Sequence, residues 1–284
     1  MSKNNIKYLF ALLTVLVVFN SCKKEYESIE IIDDAKIQAY IKQNNVPAIK
    51  DPSGYYYQVL EQGNGGVMLN KDSVFYNLAV KSLSGSTYYA PLQYSNEGDY
   101  LGYLKPEAYR NALYSINRGG KVRVIVPSYL AYGKNGFGVI PSNEVLVTEI
   151  SVYPETKQWQ IDDRLIKEFI AAKGLTMSKH PSRVYFNIST SGTGEVIATN
   201  STITAKYKGR LLTGTQFDES GTTDLVRALN GLIVGWQKVL IGLTKGTKLR
   251  ILIPSDLAYG ISGSTGIPPN SPLDFDIEIV DVKN

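Results

Sequence analysis

The residues of this chain best able to do chemistry are aromatic. Trp236 heads a short stretch of helical periodicity, and Tyr259 lies in the loop opening Leu257-Ala258-Tyr259-Gly260. A large aromatic at the head of a helix and a tyrosine on the loop after the next strand can wall one apolar pocket. The other reactive residue types offer less. His180, the single histidine, precedes Pro181 in a polar turn and reads as a solvated loop residue. The acidic pairs Asp33-Asp34 and Asp162-Asp163 read as caps that favour the helix macrodipole, not as a metal site. Cys22 is the sole cysteine, so it has no partner for an internal disulfide.

The elements that position Trp236 and Tyr259 follow from hydrophobic spacing. Trp236, Val239, Leu240 and Leu243 fall at i, i+3, i+4 and i+7, one face of a short helix. Lys245-Gly246 breaks that pattern as a turn would. Leu249, Ile251 and Ile253 alternate with Lys248, Arg250 and Leu252, a half-buried strand that Pro254 ends. The same frame occurs earlier. Tyr109, Ala112, Leu113 and Ile116 repeat the helix face, Gly119-Gly120 the turn, and Val122, Val124 and Val126 the strand. Leu130-Ala131-Tyr132-Gly133 repeats the loop opening, with Tyr132 and Tyr259 offset by 127 residues. A period of that length means tandem domains.

Each unit begins with a further predicted helix. Ile37, Tyr40 and Ile41 share a face over residues 31–41, and Leu165, Ile166 and Phe169 do so over 161–170. Aromatic-rich strands follow at 55–60 and 184–189. Ile203, Ala205 and Tyr207 mark another strand, residues 211–218 a hairpin-like turn and strand, and Leu273, Phe275, Ile277 and Ile279 the last strand. The expected class is α+β: an antiparallel sheet with a short helix on its apolar face, built twice. The expected division is a leader at 1–22, a tether at 23–30, a first domain at 31–153 and a second at 157–284.

The chain has 284 residues, 43% apolar and 20% charged, a globular composition large enough for two cores. Net charge is +4, of which Lys3 and Lys7 lie in the leader, so the remainder is near neutral and gives no sign of a nucleic-acid surface. Twenty tyrosines suit β-rich domains with aromatic-lined surfaces. At the N-terminus, Lys3 and Lys7 precede an apolar run at 8–19 that is too short for a comfortable membrane span. Phe19-Asn20-Ser21-Cys22 follows. It resembles the lipobox of bacterial lipoproteins, in the relaxed form familiar in the Bacteroidetes. The resemblance implies an acylated Cys22, a lipid anchor, and a place in the cell envelope, at the outer membrane on its periplasmic or surface face.

In the second unit the motifs run Lys206-Tyr207-Lys208-Gly209, Gly214-Thr215-Gln216-Phe217-Asp218, Ile233-Val234-Gly235-Trp236, Ile253-Pro254, Leu257-Ala258-Tyr259-Gly260, Gly266-Ile267-Pro268-Pro269-Asn270 and Phe275. In that order, over residues 201–282, they resemble FK506-binding-protein-type (FKBP) peptidyl-prolyl cis-trans isomerases. The implied fold is two FKBP-like domains, each a twisted antiparallel sheet wrapped around a short helix, with a leading N-terminal helix. The resemblance implies a pocket with Trp236 as floor and Tyr207, Phe217, Ile233 and Phe275 as walls. Ile267 would close its rim, Tyr259 would offer its hydroxyl to a substrate carbonyl, and Asp218 would shape the edge. Leu232 and Ile233 would bring backbone groups to the ligand, and Leu225 would replace a phenylalanine usual in the family. Arg227 is a possible partner for Asp218. The implied substrate is a proline-containing polypeptide, with no cofactor or metal.

The first unit departs further. Leu78 stands for Tyr207, Tyr88-Tyr89 for Phe217-Asp218, Tyr109 for Trp236, and Leu146 or Val147 for Phe275. Its pocket is expected to be rebuilt or filled. Two functions remain: an isomerase assisting the folding of envelope proteins, or a non-catalytic binding or assembly lipoprotein on the same scaffold.

Overall fold

A computed structural model describes residues 27–91 and 93–284. Cys22 and the leader lie outside these residues. The first unit comprises helix α1 (Ile29–Gln43), strands β1 (Ile49–Lys50), β2 (Tyr56–Glu61), β3 (Ser73–Ser82), β4 (Thr87–Tyr89) and β5 (Glu97–Tyr100), helix α2 (Glu107–Leu113), and strands β6 (Lys121–Val126) and β7 (Leu146–Val152). The second comprises helix α3 (Gln158–Ala172), strands β8 (Ser178–Lys179), β9 (Tyr185–Thr190), β10 (Thr202–Leu211), β11 (Gln216–Glu219) and β12 (Leu225–Ala228), helix α4 (Val234–Leu240), and strands β13 (Lys248–Ile253) and β14 (Leu273–Lys283).

The two sheets have one topology. The first runs β1-β2-β6-β7-β3-β4 with β5 also on β3; the second runs β8-β9-β13-β14-β10-β11 with β12 also on β10. Each has seven strands, and the pairings are antiparallel. Both short helices pack where the periodicity puts them. Trp236, Val239 and Leu240 are buried against Ile251, Ile253, Phe275 and Ile277, and Tyr109, Ala112 and Leu113 against Val122, Val124 and Ile150. Leu243 lies past the end of α4 and packs half-buried on the same core.

Two expectations need correction. The acidic pairs do not cap the leading helices, which begin earlier, with Ser28 and Lys157 at the N-cap positions. Asp33 and Asp162 are buried on the inner faces of α1 and α3. Asp33 Oδ2 accepts the N–H and hydroxyl of Ser128 at 2.8 and 2.6 Å, and Asp162 Oδ2 accepts those of Ser255 at 2.8 and 2.7 Å. Each carboxylate thus ties a leading helix to the start of the loop that carries Tyr132 or Tyr259. Strand β13, expected to be half-buried, is buried on both faces toward its end. Leu252 is fully buried on the side away from Trp236, with Ile166, Phe169, Tyr185 and Leu212. The leading helix covers the outer face at that point, so both faces of the sheet hold apolar contacts. No helix among the described residues is long and apolar enough to cross a membrane.

Candidate functional site

Three strands and the head of α4 converge on one aromatic cluster in the second unit. Alternation along β10 and β14 turns Tyr207 and Phe275 to the α4 side of the sheet, where Trp236 projects from the first turn of the helix. Trp236 and Phe275 meet edge to face at 5.4 Å, Tyr207 and Trp236 at 5.6 Å, and Phe217 and Phe275 at 5.6 Å. Edge-to-face contact sets the positive ring edge against the negative face, so the rings are fixed relative to one another. Trp236 is 3% exposed, and its Nε1 has no hydrogen-bond partner among the described residues.

The close approach of the rings needs Gly209. A β-carbon there would lie 2.7 Å from the Phe275 ring and 2.8 Å from the Phe217 ring. Gly235 does the same beside Trp236, where a β-carbon would meet Ile253 at 2.4 Å. Both glycines stand inside the family motifs, but only the packing reveals their task.

The rim is polar on one side. The Tyr207 hydroxyl donates to Asp218 Oδ2 at 2.6 Å, and Asp218 Oδ1 accepts the N–H of Glu219 at 2.9 Å. Burial and the Asp218 carboxylate both push the Tyr207 phenol up from its ordinary range, so it remains a protonated donor. Tyr207, not Arg227, is therefore the partner of Asp218 in this structure. Tyr259 is 39% exposed, and burial chiefly, with the Asp218 charge, raises its phenol as well. Ile267 is buried against the cluster, while Leu225, Leu232 and Ile233 are half-buried on it. Gln237 Nε2 donates to the Leu232 carbonyl at 2.6 Å, which fixes the segment entering α4. Tyr207, Phe217, Leu225, Leu232, Ile233, Trp236, Ile267 and Phe275 thus share one cluster, and Asp218 is joined to it through Tyr207.

A different concavity, of about 620 Å³, opens on the outer face of this sheet among Lys206, Lys208, Arg210, Lys248, Arg250, Asp276 and Glu278. Several of its charges are paired: Arg210 with Asp274 and Asp276, Arg250 with Asp274, and Lys248 with Glu278. The outer face is thus polar where the α4 side carries the aromatic cluster.

Comparison with known proteins fits this geometry. The family model for FKBP-type peptidyl-prolyl cis-trans isomerases matches residues 104–153 and 194–280, so it touches both units. FkpA of Escherichia coli K12, an FKBP-type peptidyl-prolyl cis-trans isomerase, is 40% identical over 119 residues, 41% of this chain and 43% of that protein. FkpA of Buchnera aphidicola subsp. Schizaphis graminum is 42% identical over 122 residues, 42% of this chain and 48% of that protein. A crystal structure of a peptidyl-prolyl cis-trans isomerase from Pseudomonas syringae pv. tomato is 31% identical, covering 43% of this chain and 92% of that one, with a TM-score of 0.39. The chain belongs to the FKBP family. It spans less than half the length of these two curated relatives.

The two FKBP units differ where the pocket lies. Strand register places Val124 opposite Thr148 in the first unit and Ile251 opposite Phe275 in the second. Thr148, therefore, occupies the Phe275 position, not Leu146 or Val147 as the sequence suggested. Leu146 matches Leu273, and Val147 faces α1 with Ile37 and Tyr56. Tyr109 matches Trp236, and the hydroxyls of Tyr109 and Thr148 lie 2.7 Å apart, both buried. Tyr76 stands where the second unit has the small Ala205, and it is 8% exposed, filling space that Ala205 leaves. Phe137 lies flat over Tyr132, with ring centroids 4.9 Å apart and planes 15° apart. Tyr132 is thus covered by a ring, whereas Tyr259 is 39% exposed.

Proposed function

We propose that the second unit, residues 157–284, catalyses cis–trans isomerisation of prolyl peptide bonds. The observation that carries this is the convergence of Tyr207, Phe217, Trp236 and Phe275 in one interlocked ring cluster with Tyr259 and Asp218 at its lip. Rotation about a prolyl amide is slowed by amide resonance, with a barrier of about 18–20 kcal/mol. The twisted state has lost the dipolar resonance form, so it is less polar than the planar amide. An apolar, aromatic pocket favours it relative to water. In this reading the rings hold the proline while the Tyr259 hydroxyl donates to the preceding carbonyl. Asp218 keeps Tyr207 in place and acts at the edge of the pocket. No nucleophile, metal or cofactor is required.

The rest of the proposal concerns setting. Residues 1–22 would be a lipoprotein leader, 23–30 a tether, and Cys22 the acylated N-terminus of the mature chain, more than one acyl chain giving stable anchoring. The protein would then serve proline-containing polypeptides in the cell envelope. The first unit, residues 31–153, has its pocket filled by its own side chains, which favours a holding or spacing role for that unit.

A protease-coupled prolyl-peptide assay on residues 25–284 tests the activity, with several residue types before proline. Asp218→Ala should slow exchange while circular dichroism and melting stay near wild type, because Asp218 is exposed. A folded wild-type protein with no exchange above background ends the isomerase reading and leaves a prolyl-chain binder. Intact-mass analysis of membrane-extracted protein tests the anchor; an unmodified Cys22 would sink it.

A further inference from the structure

We infer that the first unit sets the rim of the second unit's pocket, through Tyr94, Ser95 and Asn96 of the β4–β5 loop. Ser95 and Asn96 would thus be positioning residues for the prolyl chain that the pocket takes. This rests on the reading of that pocket as the substrate site.

Residues 255–270 form the loop that carries Tyr259 and Ile267, and the first unit holds it from both ends. At the far end, the Ser95 hydroxyl donates to the Pro269 carbonyl at 2.6 Å, and Asn270 Nδ2 donates to the Asn96 carbonyl at 3.0 Å. The Asn270 N–H in turn donates to the Gly260 carbonyl at 2.9 Å, closing the loop just after Tyr259. At the near end, the side-chain amides of Asn96 and Gln158 pair reciprocally at 3.0 and 2.9 Å. Gln158 Nε2 also donates to Asp162 Oδ1 at 2.8 Å, and Asp162 Oδ2 takes the N–H and hydroxyl of Ser255. One residue of the first unit is therefore linked by hydrogen bonds to both feet of the loop.

The repeat supplies an internal comparison. Asn143 matches Asn270: their φ angles are 54° and 52°, and each N–H closes the same turn, to Gly133 or Gly260. Asn143 is exposed, whereas Asn270 is 3% exposed. The turn does not require burial of that side chain; docking of the β4–β5 loop produces it.

Packing anchors the clamp without fixing the rim by itself. The Tyr94 ring meets Phe169 edge to face at 5.9 Å and joins Ile166, Tyr185, Leu212 and Leu252 on the outer face of the sheet. Beside it a cavity of about 230 Å³ remains among Gln93, Ser95, Pro268 and Ser271. With room left next to Pro268, the hydrogen bonds from Ser95 and to Asn96 decide where the loop sits. Amide and hydroxyl bonds in a buried place are costly to leave unmade, so the loop follows its partner.

The test uses the full chain with Ser95→Ala and Asn96→Ala, read by prolyl-peptide kinetics and by NMR of the Ile267 methyls and the Tyr259 ring. Asn143→Gly, in the exposed twin, is the control. Each clamp variant is expected to raise KM by about two- to tenfold, with kcat within about twofold and the Ile267 and Tyr259 resonances moved. The control should leave all three unchanged. Ser95→Ala removes only one hydrogen bond, so it serves where Asn96→Ala fails to fold. KM at the wild-type value in both folded variants overturns the inference. Should the wild-type chain show no exchange at all, the isomerase reading fails separately. The Ile267 and Tyr259 resonances then decide the clamp alone: movement in either variant upholds it, and wild-type shifts in both overturn it.

Discussion

The hydroxyls of Tyr109 and Thr148 are 2.7 Å apart in the core of the first unit, at the positions where Trp236 and Phe275 meet edge to face in the second. One frame thus holds a buried polar pair in one copy and two bare aromatic rings in the other. Tyr109 has its phenol pushed up by burial above all, with the Thr148 bond acting the other way, so it stays protonated as a partner for Thr148. Tyr109→Phe should therefore leave Thr148 buried without its partner and cost about 1–3 kcal/mol. Urea denaturation of the full chain reads this, and a cost near zero would mean that Thr148 finds another partner.

The two loop tyrosines should separate the units functionally. Tyr259→Phe deletes one hydroxyl and little volume, so exchange of an X-Pro peptide should fall about two- to tenfold, as expected for one hydrogen bond made in the transition state. Tyr132→Phe should leave the rate unchanged, because Phe137 covers that ring. Equal losses from both changes would place activity in both units.

Gly209 offers a probe with no polar chemistry. Gly209→Ala inserts one methyl against the Phe217 and Phe275 rings, closer than carbon atoms tolerate. Displacing the rings should cost about 1–3 kcal/mol of stability and slow exchange, as overpacked cores do. Near-ultraviolet circular dichroism would report the moved rings, and an unaltered spectrum with full activity would show that the cluster yields freely.

Stability should fall with rising pH through one buried carboxyl. Burial pushes Asp162 up to about 6, against the hydrogen bonds from Gln158 and Ser255. The folded chain then binds this proton more tightly than the unfolded chain, whose carboxyl titrates near 3.8. The contribution is complete below about pH 4 and is lost as pH rises through 6. Between pH 4 and 7, wild type should lose about 2–3 kcal/mol relative to Asp162→Asn, which cannot ionise there. The neighbouring Asp163 acts in another window. Its own burial is outweighed by Lys167, Lys179 and Tyr185, which lower it to about 2, so its contribution is lost only below about pH 4. Parallel pH–stability curves for wild type and Asp162→Asn would contradict the assignment.

Sequence alone determined the repeat, the α+β class and the second unit's aromatic set. Those features are local: spacing of 3.6 and 2 residues selects a helix face or a sheet face, and turn residues mark where each element stops. Trp236 and Phe275 lie on the predicted inner faces because their own strand and helix put them there. Tertiary structure decided what depends on register or on a distant partner. One residue of register turns Val147 to the other face and two carry Leu146 a step along the same face, so Thr148 is the side chain that meets Tyr109. Asp33 and Asp162 looked like caps because acidic residues favour helix starts, yet their partners, Ser128 and Ser255, lie more than ninety residues away. The Asn96–Asn270 bond joins residues 174 apart and has no counterpart among the described residues of the other repeat, so no period in the sequence announces it. Spacing fixes which way a side chain faces, and only the folded packing fixes what it meets there.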